Sequence, residues 1–166
     1  MSRRSRGWRV DLVPAAFVAG ITVLLGAPAG LIWSALAPHA RIAISASGAT
    51  FADGATEVFV AGDGWFLGVC AVAGLLSGLL AWLGARRSGP YVVVALAVGG
   101  LLAAYVGAKV GRRIGQDELR AAAAAGRPGT YVANVALQAK QAVLVWPITA
   151  LATFVALVAS RADEID

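Results

Sequence analysis

The stretch YVVVALAVGGLLAAYVGA, residues 91–108, decides the fold. It holds no Asp, Glu, Lys, Arg or His. Its length approaches the roughly 20 helical residues needed to cross a hydrocarbon core about 30 Å thick. Three further runs of the same kind, 12–36, 65–85 and 142–159, fill most of the remaining chain. Runs 91–108 and 142–159 are short for a span, so slight bilayer thinning or extension of their ends into the headgroup zone is expected. The 166 residues are 59% hydrophobic and 14% charged. Soluble domains carry roughly 25% charged residues, so this chain cannot cover a water-facing surface and lipid must be much of its solvent.

These runs specify an all-α integral membrane protein of four transmembrane helices, folded as a single domain over residues 1–166. Between the first and second spans, residues 37–64 carry β-favouring segments, Arg41-Ile42-Ala43-Ile44-Ser45 and Glu57-Val58-Phe59-Val60. Gly48 and Asp53-Gly54 supply turn chemistry between them, which predicts a small outer-face β-hairpin. Two strands alone are marginal in water, so the hairpin should lie on the bundle or against a partner. Between the third and fourth spans, over 109–141, Asp117-Glu118-Leu119-Arg120 and five alanines predict a short outer helix stopped by Gly126 and Pro128. Asn134, Gln138 and Gln141 then follow at helical spacing, as one polar face leading into the fourth span.

The formal charge of +5 in a soluble chain would suggest nucleic acid, but the cations here flank apolar spans, where lipid headgroups and topology account for them. No nucleic-acid partner is expected. Arg3, Arg4, Arg6 and Arg9 precede the first span and Arg86 and Arg87 join the second to the third. The positive-inside bias of this first half places both termini in the cytoplasm of a multi-pass plasma (inner) membrane protein. Lys109, Arg112, Arg113, Arg120, Arg127 and Lys140 then fall outside, and the fourteen basic residues divide equally between the two sides. The arginine-rich start resembles a signal n-region, but the apolar run behind it is too long for a cleavable one, so a retained first span is expected.

Small residues recur every fourth position. Gly26, Gly30 and Ser34 lie in the first span, Cys70, Gly74 and Gly78 in the second, and Ala95, Gly99, Ala103, Gly107 and Gly111 along the third. Such spacing lets helix backbones approach closely where the hydrophobic effect cannot drive association. The third helix should therefore be central, with its stripe serving either internal packing or a partner. Pro28 and Pro147 should kink their helices. Trp33, Trp65 and Trp146 are placed where an aromatic belt would put them, near the outer ends of their spans.

Catalytic chemistry is sparse. No span core holds the ionisable residue at which an ion-coupled transporter parks its ion or proton. Nucleotide-binding, zinc-protease and serine-hydrolase motifs are missing from the sequence. The single histidine, His39, and the single cysteine, Cys70, cannot build a metal site by themselves, and no cofactor is expected. The outer acids Glu57, Asp63 and Asp53 could do acid/base work only if the fold pairs them, and solvated charges or salt bridges to Arg112 and Arg113 are the simpler expectation. The outer-face candidates are accordingly Glu57, Asp63, Lys109, Arg112 and Arg113.

Four segments, Gly30-Leu31-Ile32-Trp33-Ser34-Ala35-Leu36-Ala37-Pro38, Asp63-Gly64-Trp65-Phe66, Ala95-Leu96-Ala97-Val98-Gly99-Gly100-Leu101-Leu102 and Leu144-Val145-Trp146-Pro147, carry a resemblance in their order and spacing. Together they resemble the actinobacterial membrane proteins grouped as domain of unknown function 2567. That resemblance implies a four-span inner-membrane protein with outer-face loops after the first and third spans, and it implies no activity. The functional expectation is a non-enzymatic accessory or scaffold subunit. It would sit among membrane lipid and dock a membrane-protein partner or a second copy through the third-helix stripe or the outer hairpin. The alternative is a small permease or lipid-handling protein moving a neutral solute or lipid.

Overall fold

The computed structural model describes residues 4–45, 48–51, 55–85, 90–114, 116–134 and 137–162. In chain order the elements are α1 (Arg4–Leu36), β1 (His39–Ser45), β2 (Gly48–Phe51), α2 (Ala55–Ala85), α3 (Tyr91–Arg113), α4 (Gln116–Ala124) and β3 (Gly129–Asn134), then a 3-10 turn (Lys140–Leu144) and α5 (Val145–Ala162). Four segments, Leu12–Leu36, Glu57–Ala85, Tyr91–Arg113 and Lys140–Arg161, are long and apolar enough to cross a membrane, the architecture of a multi-pass membrane protein. Their outer surfaces agree with that solvent: Leu24 is 74% exposed, Val13 70% and Phe17 68%. In water such a surface would drive aggregation, whereas against acyl chains it carries no penalty.

The helices pair by alternation rather than by sequence neighbourhood. Along α1 and α3 the close partners advance together: Ala19 lies against Gly99, Gly26 against Ala103 and Gly30 against Gly107. The two helices are therefore parallel and in register. Helices α2 and α5 form a second parallel pair, with Gly74 against Trp146 and Thr149, and Gly78 against Ala150 and Thr153. The two pairs join where Gly100 of α3 meets Pro147 of α5. Helix α3 is the most enclosed, with 44% of its apolar stretch buried against 33% or less for the other three. It occupies the central position that its small residues implied.

Two clusters fill the interior. Trp33, Phe66, Cys70, Ala103, Ala104 and Trp146 pack towards the sheet end, while Ala81, Val92, Leu96, Ala150 and Phe154 pack towards the other. The Trp33 and Phe66 rings meet edge to face, 5.1 Å apart with an interplanar angle of 74°, the arrangement that ring quadrupoles favour.

Above one end of the bundle lies a three-stranded antiparallel sheet in the order β2-β1-β3. The hairpin pairs Ile42 with Phe51 and Ser45 with Gly48, and β3 runs along the other side of β1 from His39 opposite Asn134 to Ile44 opposite Gly129. Helix α4 ends as expected at Gly126, whose φ of +59° suits a residue without Cβ. There the N–H of Arg127 donates to the Ala122 carbonyl and that of Gly126 to the Ala123 carbonyl, closing a Schellman motif.

Four expectations are corrected. The segment Glu57-Val58-Phe59-Val60 lies inside α2, not in a strand, and β2 is the earlier Gly48–Phe51. The reason is tertiary, because Gly62, Phe66 and Cys70 share one helical face and dock on or beside Trp33, and burial of that face outweighs local β propensity. The polar face of Asn134, Gln138 and Gln141 does not form. Asn134 ends β3 opposite His39, Gln138 sits in a bend and Gln141 in the 3-10 turn. The third strand supplies the cover that a lone hairpin lacks. Trp33 and Trp146 are core residues, 2% and 1% exposed, and only Trp65, at 47%, faces outward as a belt residue would. Finally, Pro147 stands in the first turn of α5 where the 3-10 turn gives way to α-helix, a position that tolerates proline without a mid-helix kink. Pro28, by contrast, is inside α1, as is Pro14.

Candidate functional site

The small-residue stripe is used within the chain. A Cβ placed on Gly26 would lie 2.9 Å from the Ala103 Cα, and one on Gly30 2.9 Å from the Gly107 Cα. On Gly107 it would come 2.9 Å from the Gly26 carbonyl oxygen, and on Gly111 2.7 Å from that of Gly30. Gly99 is 3.1 Å from the Ala19 Cα by the same measure. Backbone therefore touches backbone along the whole α1–α3 contact, which maximises dispersion and brings Cα–H groups within reach of carbonyls. Gly74 and Gly78 do the same for α2 and α5: their added Cβ atoms would meet the Trp146 oxygen at 2.6 Å and the Thr153 Cβ at 2.9 Å. These glycines, with Ala103, face neighbouring helices of their own chain.

Polar groups inside the bundle have partners. The hydroxyls of Thr22, Ser34 and Ser77 donate to the carbonyls of Val18, Leu31 and Ala73, each at 2.7 Å. Ser77 also accepts the Trp146 Nε1–H at 3.2 Å, which ties α5 to α2. The Trp33 Nε1–H donates to the Gly62 carbonyl at 2.9 Å and ties α1 to α2. Each tryptophan thus places its single donor on a definite acceptor, and the two hydrogen bonds fix the relative height of three helices. Cys70 is buried among these groups.

The outer-face candidates separate. Asp63, in α2, directs one carboxylate oxygen to the backbone N–H of Gln138 at 3.0 Å and the other to that of Ala139 at 2.8 Å. It anchors the chain entering the fourth span, and its two oxygens are engaged by main chain rather than by Arg112 and Arg113. Glu57 is exposed in the first turn of α2, and Asp53 lies outside the described residues. No three His, Cys, Asp or Glu side chains among the described residues come together as a metal site. Lys109 lies 4.8 Å over the Tyr105 ring, a cation–π contact at the sheet end of α3. Arg112 and Arg113 follow in its last turn, exposed, where the carbonyl end of the helix favours cations. Arg41, Arg127 and Lys140 are exposed at the same end.

Sequence reading missed two grooves on the seam between α1 and α2. One, of 280 Å³, is lined by Pro14, Phe17, Ile21, Leu25, Leu80 and Gly84 among others. The second, of 530 Å³, is lined by Leu25, Pro28, Ile32, Leu36, Trp65 and Gly68 among others. Its one signal in the sequence is Gly68, which lies outside the Cys70, Gly74 and Gly78 repeat and has nothing within 4 Å of where its Cβ would be.

Comparison with protein-family models, with curated proteins and with solved structures finds no match to this chain.

Proposed function

We propose that this chain is a non-enzymatic accessory or scaffold subunit of the plasma membrane, both termini cytoplasmic, belonging with the four-span proteins that its motifs resemble. It meets its partner through the extramembrane cap. The observation that carries this reading is the division of labour between stripe and cap. The α3 stripe is occupied by α1, whereas β2 and β3 each pair with β1 alone among the described residues. Each outer strand leaves a backbone edge of the kind that accepts an added strand. Exposed Arg41, Arg112, Arg113 and Arg127 surround that sheet, so the complementary partner is an acidic, extended extramembrane segment. A small permease or lipid-handling protein moving a neutral solute or lipid is the second reading, and the commitment of the Thr22, Ser34 and Ser77 hydroxyls to helix carbonyls weighs against a hydrogen-bonding solute path.

The test is affinity purification in mild detergent with mass spectrometry of the co-purifying proteins. A stoichiometric partner is expected with the wild-type chain, and it is expected to be lost from the variant carrying Arg112→Glu, Arg113→Glu and Arg127→Glu, whose cooperative thermal unfolding shows that it remains folded. A lone wild-type protein, or a complex indifferent to the three reversals, overturns the reading.

A further inference from the structure

The two grooves share Leu25 and together run the length of the α1–α2 seam. Leu25 is near the middle of the Leu12–Leu36 span. From Pro14 to Leu25, and again from Leu25 to Leu36, the helix rises about 16 Å at 1.5 Å per residue. One leaflet of a hydrocarbon core about 30 Å thick is about 15 Å deep. Each groove is therefore one leaflet long, and the pair meets near the bilayer midplane.

The walls are aliphatic and aromatic, apart from Thr22 and Ser77 in the smaller groove, whose hydroxyls are already bonded to their own helix. Nothing on the walls asks for a polar occupant. At the far end of the larger groove stands Trp65, half exposed, an amphipathic ring at headgroup level.

From this geometry we infer that the α1–α2 seam is a built lipid site that holds one phospholipid acyl chain from each leaflet, the larger groove taking the chain on the sheet side. Gly68 and Gly84 keep the two grooves open. Neither would bring a Cβ within 4 Å of another atom, in contrast to the glycines packed between helices. Side chains at these positions fill the grooves without entering the protein core.

The experiment is native mass spectrometry of the full chain released from detergent after incubation with 1-palmitoyl-2-oleoyl phosphatidylglycerol. Two retained lipids are expected for the wild type, one for Gly68→Phe, one for Gly84→Phe and two for Gly20→Phe, which also points into open space but lines neither groove. Gly68→Leu repeats the measurement with a smaller plug, and a thermal midpoint within error of wild type shows that each variant is folded. A wild-type chain that retains no lipid overturns the inference, as do folded Gly68→Phe and Gly68→Leu proteins that retain both. A disulfide between copies carrying Gly68→Cys, in a background with Cys70→Ala, also overturns it, because the seam would then hold a second helix.

Discussion

Asp63 shows how one side chain can be legible as important and still be read for the wrong chemistry. Its position in the loop before the second apolar run marks it as an outer-face acid. In the folded chain it lies one residue beyond Gly62, whose carbonyl accepts Trp33, and its carboxylate closes on the N–H groups of Gln138 and Ala139. Hydrogen bonds to a charged acceptor contribute about 1.5–3 kcal/mol when shielded, and partial exposure of this site lowers that. Asp63→Ala is therefore expected to destabilise the protein by about 1–2 kcal/mol. Proteolytic cleavage in the connection before Lys140 should rise with it. Thermal unfolding in detergent combined with limited proteolysis checks both, and an unchanged midpoint would show that the two N–H groups find other acceptors.

The four helices were legible as elements because each buries its backbone hydrogen bonds internally and presents apolar side chains all round, a pattern that in lipid leaves no alternative. Their partners were not. Small residues every fourth position announce close approach without saying to what, and a stripe able to dimerise is identical in sequence to one that packs within its own chain. Constant register between α1 and α3 resolves this, since Gly26, Gly30, Ala103 and Gly107 all meet across one contact. Gly30→Leu or Gly107→Leu should hence destabilise the monomer itself, by the about 1–3 kcal/mol typical of overpacking or more where backbone must separate. Gly64→Leu, which points into open space, should be neutral. Unfolding by sodium dodecyl sulfate titration of the three variants measures the difference. Equal stability of all three would remove the α1–α3 contact as the source of close packing.

At the scale of the whole molecule the proposed topology has a direct test. With both termini cytoplasmic, a cysteine at Arg127 in a Cys70→Ala background should react with a membrane-impermeant maleimide in intact cells, and one at Ser160 only after permeabilisation. The reverse pattern would place the cap in the cytoplasm, beside the anionic inner leaflet that its exposed cations also suit. Sequence alone determined the four helices long and apolar enough to cross a membrane, the close-packing residues and the stop of α4 at Gly126. Each of these follows from hydrophobicity, residue size or backbone freedom, which are properties of short stretches. Tertiary structure decided that α1 pairs with α3 and α2 with α5, that Trp33 and Trp146 face inward, that β3 completes the sheet and that a groove follows the α1–α2 seam. These depend on which surfaces meet across long separations in the chain, and helices with similar apolar faces meet according to shape, which no local pattern encodes.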